Sequence, residues 1–202
     1  MLKLLKQGDK KNIILLVPGY TSGFQAEIFV DFLTKVPEGY CVYGVVIDYQ
    51  HTDDFTISMQ EIENALAELR AEYKDAELTM VAKSLGAALC LGISLSDYQV
   101  NKLVILGLPM VLGWPPRMSM LLEGKKFSFS ILDEYKPLFL KNRHTHLVLI
   151  AGSNDDLFDV NVFNKMKMED RVVLLYLQGV DHSMKCGGDT SLVIQSIVSI
   201  LS

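Results

Sequence analysis

The sequence contains few cysteines, no long apolar run and no cluster of basic residues. Its three cysteines, Cys41, Cys90 and Cys186, are widely spaced and odd in number among 202 residues. This pattern excludes a disulfide framework and a zinc site, and it is typical of free thiols in a reducing cytosol. No run reaches the roughly 18–20 apolar residues that a membrane-spanning helix needs, and residues 1–12 are too polar for a secretory signal. We therefore expect a cytoplasmic protein without a membrane span.

The charge balance is mildly acidic, with 19 basic and 24 acidic residues and a formal net charge of −5. Because nucleic-acid phosphates require a concentrated basic face, this balance excludes a nucleic-acid partner. Hydrophobic residues make up 50% of the chain and charged residues 21%, as in ordinary soluble globular proteins. We expect neither a cofactor nor a metal ion, and a partner that is a small molecule.

Six short apolar runs divide the chain. Unbroken runs of this length, rich in β-branched residues and leucine, are typical of strands that are covered on both faces. The runs are residues 13–17, 42–47, 78–82, 103–106, 147–151 and 172–177.

Longer stretches with helical periodicity lie between the runs, at residues 25–36, 57–73, 85–95, 160–168 and 191–201. Strands that alternate with helices imply right-handed crossovers. The sequence therefore predicts an α/β fold with a mainly parallel sheet of about six strands and helices on both faces.

One long connection interrupts this alternation, at about residues 109–145. Connections of such length are typical of lids or carry short helices of their own. With no repeat or linker elsewhere, we expect a single domain over residues 1–202 with this cap-like insertion. Its aromatic and methionine side chains fit the lining of an acyl or aryl pocket, core packing or a homodimer contact, and these three explanations stay open.

A serine lies at the junction of the third apolar run and the helical stretch that follows. The segment Ala82-Lys83-Ser84-Leu85-Gly86 has the small-x-Ser-x-small pattern of a nucleophile elbow. Such a turn admits only small flanking residues, because the strand and helix backbones nearly touch, and it strains the serine and exposes its Oγ. The pattern alone is weak, but its place between strand and helix strengthens it. We predict that Ser84 is a nucleophile, and we expect Lys83 to be solvated or salt-bridged.

A serine hydroxyl needs a base to accept its proton. Of the four histidines, His182 follows the last apolar run, in Gly179-Val180-Asp181-His182-Ser183. His51 follows the second run, whereas His144 and His146 precede the fifth. We predict that His182 is the general base.

The imidazole in turn needs a carboxylate that fixes its tautomer. The fifth run leads into Gly152-Ser153-Asn154-Asp155-Asp156. Asp155 follows Gly152 by three residues, a spacing that presents a carboxylate towards the histidine loop, and Asp156 stays open as the alternative acid. The order Ser, Asp, His along the chain agrees with that known for hydrolases with a nucleophile elbow.

A further turn, Pro18-Gly19-Tyr20, follows the first apolar run. Backbone N–H groups at such turns stabilise the negative charge that develops on a substrate oxygen. We predict an oxyanion hole formed by the N–H groups of Tyr20 and Leu85.

Together these four segments resemble the α/β-hydrolase superfamily, and in particular its small single-domain esterases and dienelactone-hydrolase-like members. The resemblance covers nearly the whole chain, with two departures: Pro18-Gly19 replaces the usual His-Gly, and Ala82 replaces the usual glycine. Little chain precedes the first apolar run, so the resemblance implies a reduced sheet of six strands, with a marginal extra strand near residues 2–5.

The sequence supports two hypotheses about the function of this protein. The first is a serine hydrolase that cleaves a carboxylic ester or thioester through a Ser84–His182–Asp155 triad and an acyl-enzyme intermediate. The second is a binding or scaffold protein with the same fold and no catalysis, which requires a triad that is incomplete in space. The identity of the substrate, its acyl-chain length, the oligomeric state and a lid role for residues 109–145 stay open.

Overall fold

A seven-stranded sheet forms the centre of the molecule. The computed structural model describes residues 1–20, 23–49, 55–110, 131–166 and 172–201, without the side chains of residues 131–134. The strand order is β1-β3-β2-β4-β5-β6-β7, and every neighbouring pair is parallel except β1 with β3. The strands are β1 Leu2–Lys6, β2 Asn12–Val17, β3 Tyr40–Val45, β4 Glu77–Lys83, β5 Lys102–Leu106, β6 His146–Asn154 and β7 Val172–Asp181.

The sheet has one strand more than the six predicted. The additional strand is β1, which pairs antiparallel with β3 at one edge of the sheet. It is short and half exposed, and Lys3 and Lys6 interrupt its leucines. An edge strand of this kind lacks the unbroken apolar run that marks a strand covered on both faces, so its sequence signal is weak.

Helices cover both faces of the sheet, as predicted. Among the described residues, helices α1 and α6 pack on one face, whereas α2, α3 and α4 pack on the other. The helices are α1 Glu27–Lys35, α2 Phe55–Glu72, α3 Leu85–Gly92, α4 Ile131–Lys141, α5 Val160–Lys165 and α6 Ser191–Leu201. None of the helices in the described ranges is both long and apolar enough to cross a membrane.

The cap-like insertion predicted at residues 109–145 is described only in part. Residues 111–130 lie outside the described residues, whereas α4 belongs to the insertion and packs against α3. A lid role and a pocket lining for residues 111–129 therefore stay predictions, as does the single-domain organisation.

Alternation within the strands explains why their sequences are apolar without interruption. In β2, Ile13, Leu15 and Val17 belong to the core under α2 and α3, whereas Ile14 and Leu16 belong to the core under α1 and α6. Successive side chains of a strand point to opposite faces, so a sheet with two covered faces requires apolar residues at every position.

The start of α3 approaches the end of β2 very closely. A Cβ atom on Gly86 would lie 2.2 Å from the carbonyl oxygen of Pro18. Only glycine permits this backbone contact, which fixes the first turn of α3 against the turn that follows β2. Gly92, at the other end of α3, faces only the flexible end of Met59, with Cε 2.8 Å from the position of a Cβ.

We expect Gly86→Ala to lower the free energy of unfolding by about 1–3 kcal/mol or more, because the added methyl group meets a rigid backbone carbonyl. The matched control is Gly92→Ala in the same helix, which we expect to cost nothing and to gain up to about 1 kcal/mol of helix propensity. Urea unfolding of both variants measures the difference. Equal stabilities of the two variants would contradict the proposed close contact.

Candidate active site

Ser84 occupies the turn between β4 and α3 in a strained conformation. Its φ is +51° and its ψ is −122°, a region that residues with a side chain rarely adopt. Its N–H donates to the carbonyl of Leu106 at the end of β5 over 2.9 Å, and its own carbonyl accepts the N–H of Ala88. The surrounding structure thus holds the conformation that a nucleophile elbow requires.

His182 lies in the loop after β7 and reaches Ser84. The distance from its Nε2 to Ser84 Oγ is 2.9 Å, a normal hydrogen bond. The loop is shaped by a tight turn in which Met184 N–H donates to the carbonyl of Asp181, and Asp181 N–H donates to that of Lys185. Met184 is fully buried with φ +69°, so this turn is itself strained.

Asp155 is the carboxylate that the structure brings to His182. Its Oδ1 and Oδ2 lie 2.9 Å and 3.1 Å from His182 Nδ1, and Oδ1 also accepts the N–H of Leu157 over 2.9 Å. The side chain of Asp155 is fully buried, whereas Asp156 is exposed. With Nδ1–H donated to Asp155, the lone pair of Nε2 faces the Ser84 hydroxyl, which is the arrangement that proton transfer needs.

Gly107 is a contributor that the sequence analysis missed. It follows β5 with φ +56°, and a Cβ there would lie 3.3 Å from Asp155 Oδ2 and 3.4 Å from His182 Nδ1. A side chain at this position would crowd the contact between the two groups. One feature of the sequence could have indicated this role. Gly107 directly follows an apolar run and therefore lies at the carboxyl ends of the strands, as do Ser84 and the turn at Pro18.

The turn after β2 lies beside Ser84. A Cβ on Gly19 would be 3.2 Å from Ser84 Cβ, so the backbone of this turn passes next to the nucleophile candidate. Within the part of the chain that the structure describes, the N–H groups of Tyr20 and Leu85 donate to no protein acceptor. Both donors are thus available to an oxygen beside Ser84.

A cluster of three aromatic side chains packs at this turn. The ring of Tyr20 stacks on Tyr49 at a centroid distance of 6.1 Å and meets Phe55 edge-on at 6.5 Å. The Tyr49 hydroxyl donates to the carbonyl of Pro18 over 3.0 Å. Burial raises the pKa of Tyr49 well above its usual value. The hydroxyl therefore stays a neutral donor that orients the turn.

The other candidate residues lie elsewhere. His144 and His146 are exposed near the start of β6, at the opposite end of the parallel sheet from Ser84. His51 lies outside the described residues. Cys186 is partly exposed, and its Sγ lies 3.7 Å from the carbonyl of Gln178. In the described ranges no group of His, Cys, Asp and Glu could hold a metal ion.

Lys83 differs from the expectation of a solvated or salt-bridged side chain. It is only 8% exposed, and among the described residues no carboxylate lies within ion-pair distance of it. Burial lowers the pKa of its ammonium group, while the charges of Asp155 and Asp181 act in the opposite direction. The reason for the burial is its register: as the last residue of β4, Lys83 shares the sheet face of Val81, under α1 and α6.

The lowered pKa means that the unfolded chain binds this proton more tightly than the folded protein does. At neutral pH the charge therefore opposes folding. The cost begins to fall as the pH rises past the lowered pKa of the folded protein, and it is gone above the ordinary pKa of the unfolded chain. We expect Lys83→Met to raise the Tm by a few degrees at pH 7, with a gain that shrinks towards pH 10. Thermal unfolding at both pH values, with the exposed Lys74→Met as the control, measures this. A lower Tm at pH 7 would show that attraction to Asp155 and Asp181 outweighs burial.

No family model and no curated protein matches this sequence. Many solved structures, however, share its fold. A thioesterase domain from the curacin biosynthetic pathway is 13% identical, with a TM-score of 0.70 over 98% of this chain and 99% of that chain. An esterase from Pyrococcus furiosus is 16% identical, with a TM-score of 0.70 over 95% and 80% of the two chains. An α/β serine hydrolase homologue from Coxiella burnetii is 13% identical, with a TM-score of 0.70 over 100% and 90%.

These likenesses cover nearly the whole of this chain and a large share of each neighbour. At 13–16% sequence identity they show the fold of this chain. A closer relation to dienelactone-hydrolase-like members stays a prediction. The chain has the α/β-hydrolase fold.

Proposed function

We propose that this protein is a serine hydrolase that cleaves a carboxylic ester or thioester through an acyl-enzyme intermediate. The observation that supports this most strongly is the continuous chain of hydrogen bonds from Ser84 Oγ to His182 Nε2 and from His182 Nδ1 to Asp155. Each link is 2.9 Å long, and the carboxylate at its end is fully buried. Nucleophile, base and orienting acid therefore meet in the geometry that acyl transfer needs.

In the first half of the reaction Ser84 Oγ attacks the carbonyl carbon of the ester or thioester. His182 Nε2 accepts the hydroxyl proton, and Asp155 stabilises the imidazolium that forms. The carbonyl oxygen becomes an oxyanion, which the N–H groups of Leu85 and Tyr20 stabilise, an effect of about 3–4 kcal/mol per donor in known hydrolases. The tetrahedral intermediate then collapses. The alcohol or thiol leaves with the proton from His182, and the acyl group stays on Ser84.

In the second half a water molecule takes the place of the leaving group. His182 Nε2 accepts a proton from the water, whose oxygen attacks the acyl carbon. A second oxyanion forms at the same N–H groups, the bond to Ser84 Oγ breaks, and the proton returns to that oxygen. The carboxylic acid is released, and Ser84 regains its hydroxyl.

The alternative function, a binding or scaffold protein with this fold, requires a triad that is incomplete in space. The 2.9 Å contact between Ser84 and His182 weakens that alternative, since it lies within the range of about 2.6–3.2 Å that proton transfer needs. The two proposed substrate classes differ in the leaving group, which is an alcohol for an ester and a thiol for a thioester. Both classes occur among the structural neighbours, which include an esterase and a thioesterase domain.

We expect the protein to hydrolyse a series of p-nitrophenyl esters and acyl thioesters, and Ser84→Ala to lower kcat/KM by about 10⁴-fold or more. Kinetics across acyl chains of increasing length give the preferred substrate class. In parallel, a fluorophosphonate probe should label the wild type at Ser84, as located by peptide mass spectrometry. Ser84→Ala, with unchanged circular dichroism, should stay unlabelled. A folded wild type that neither turns over any ester nor reacts with the probe would contradict the proposed function.

The two adjacent carboxylates provide a matched pair of variants. Asp155→Asn should lower kcat by about 10³- to 10⁴-fold, because an amide favours the wrong imidazole tautomer. Asp156→Asn should leave kcat nearly unchanged, because Asp156 is exposed to solvent. Steady-state kinetics on the preferred ester compare the two. A larger loss in Asp156→Asn than in Asp155→Asn would reject Asp155 as the orienting acid.

A further inference from the structure

The two edges of the sheet are built differently. At one edge, β1 is only five residues long, carries Lys3 and Lys6, and has an irregular register between Leu4 and Lys6. Short length, lysines and irregular pairing are the features by which proteins prevent an edge strand from pairing with another chain. This edge is protected.

The opposite edge, β7, lacks these protections. The strand is ten residues long, contains no proline, and carries no charge before Asp181. Near its end, Cys186 forms a bridge with Val180, which covers that part of the edge. Residues 172–177 keep a regular register with β6, and within the described residues nothing hydrogen-bonds to their outer side. Val173 is 47% exposed there.

Helix α6 continues this surface beside the strand. It contains no charged residue over its eleven positions, and Leu192 on its outer side is 40% exposed. Between α6 and the sheet lies an open groove of about 490 Å³. Its lining is mostly apolar and includes Val148, Val173, Leu175, Leu192 and Ile200. Together β7 and α6 form a surface, here called the β7–α6 surface.

The distribution of charge favours a second copy of this chain as the partner. Charged residues make up 21% of the chain, yet Asp181 is the one charged residue in the two elements of the β7–α6 surface. Depletion of charge is typical of the core of a protein interface. A second copy of this chain also carries a net charge of −5, so two copies avoid repulsion best where both surfaces are uncharged. Apart from Asp181 at the end of β7, the β7–α6 surface meets that condition on both sides of a twofold axis.

We propose that two copies of this chain form a dimer through the β7–α6 surface, with residues 172–176 of each copy paired antiparallel to the same residues of the other and Leu174 at the centre of the pair. A twofold axis through this pair repeats every strand–strand hydrogen bond and joins the two sheets into one. The same axis brings the two copies of α6 together over the seam. Leu192 and the apolar groove then lose contact with water. This proposal does not depend on the hydrolase function.

The mass in solution tests the proposal. Light scattering after gel filtration should give twice the 22.6 kDa of one chain. Val173→Lys should raise the dissociation constant of the dimer at least about 100-fold, because the two lysines then lie diagonally across the desolvated seam on the same face of the joined sheet. Val173→Thr, which keeps the branched and uncharged shape, should stay dimeric. Leu192→Lys tests the helical half of the surface and should also weaken the dimer.

Two control variants match the exposure of Val173. Val30→Lys lies on α1, where Val30 is 48% exposed, and Leu4→Lys lies on the β1 edge, where Leu4 is 48% exposed. Both should remain dimers. Circular dichroism and thermal unfolding verify the fold of each variant. The proposal is overturned by a wild type that is monomeric at all concentrations, which would leave the edge to a different protein. It is equally overturned by a dimer that Leu4→Lys dissociates and Val173→Lys and Leu192→Lys do not.

Discussion

The packing at the centre of the sheet is coupled to the strained backbone conformation of Ser84. A φ of +51° in a residue with a side chain costs on the order of 1–3 kcal/mol and persists only where the surroundings enforce it. Three contacts enforce it here: the hydrogen bond from Ser84 N–H to Leu106, the hydrogen bond from Ala88 to Ser84, and the close approach of Gly86 to Pro18. These contacts form only when β2, β4, β5 and α3 are correctly packed. The position of the Ser84 hydroxyl group therefore depends on the packing at the centre of the sheet.

The electrostatics of the site follow from where its charges are buried. Asp155 has lost its contact with water, and its carboxylate is compensated by His182 and by the N–H of Leu157. Lys83 is buried next to Ser84 in sequence and adds a positive charge whose desolvation is unfavourable. Buried charges of this kind are costly to a fold. The parallel sheet accommodates them because its strand ends leave room for loops between two apolar cores.

Much of the architecture could be predicted because apolar runs and their spacing are local properties. The six predicted strands are confirmed as β2 to β7, and the five predicted helices begin and end within a few residues of the expected positions. The edge strand β1 was only a marginal expectation, because a half-exposed strand needs few apolar residues. The burial of Lys83 was missed for a related reason: the register of β4 puts this lysine under α1 and α6, and nothing in its neighbours along the chain indicates that. Gly107 was missed because its role depends on two side chains that come from β6 and β7.

The alternation of strands and helices and the turn around Ser84 could be predicted from the sequence alone, because both depend on residues that are neighbours along the chain. The sequence also determined which histidine follows the last strand. It favoured Asp155 from its spacing after Gly152 but left Asp156 open as the alternative acid, since both follow the same glycine in the same turn. The three-dimensional structure shows which carboxylate meets His182: Asp155 is buried and also accepts the N–H of Leu157, whereas the adjacent Asp156 is exposed. Contacts between loops of distant strands are set by packing, and packing has no signature in any short segment of the chain.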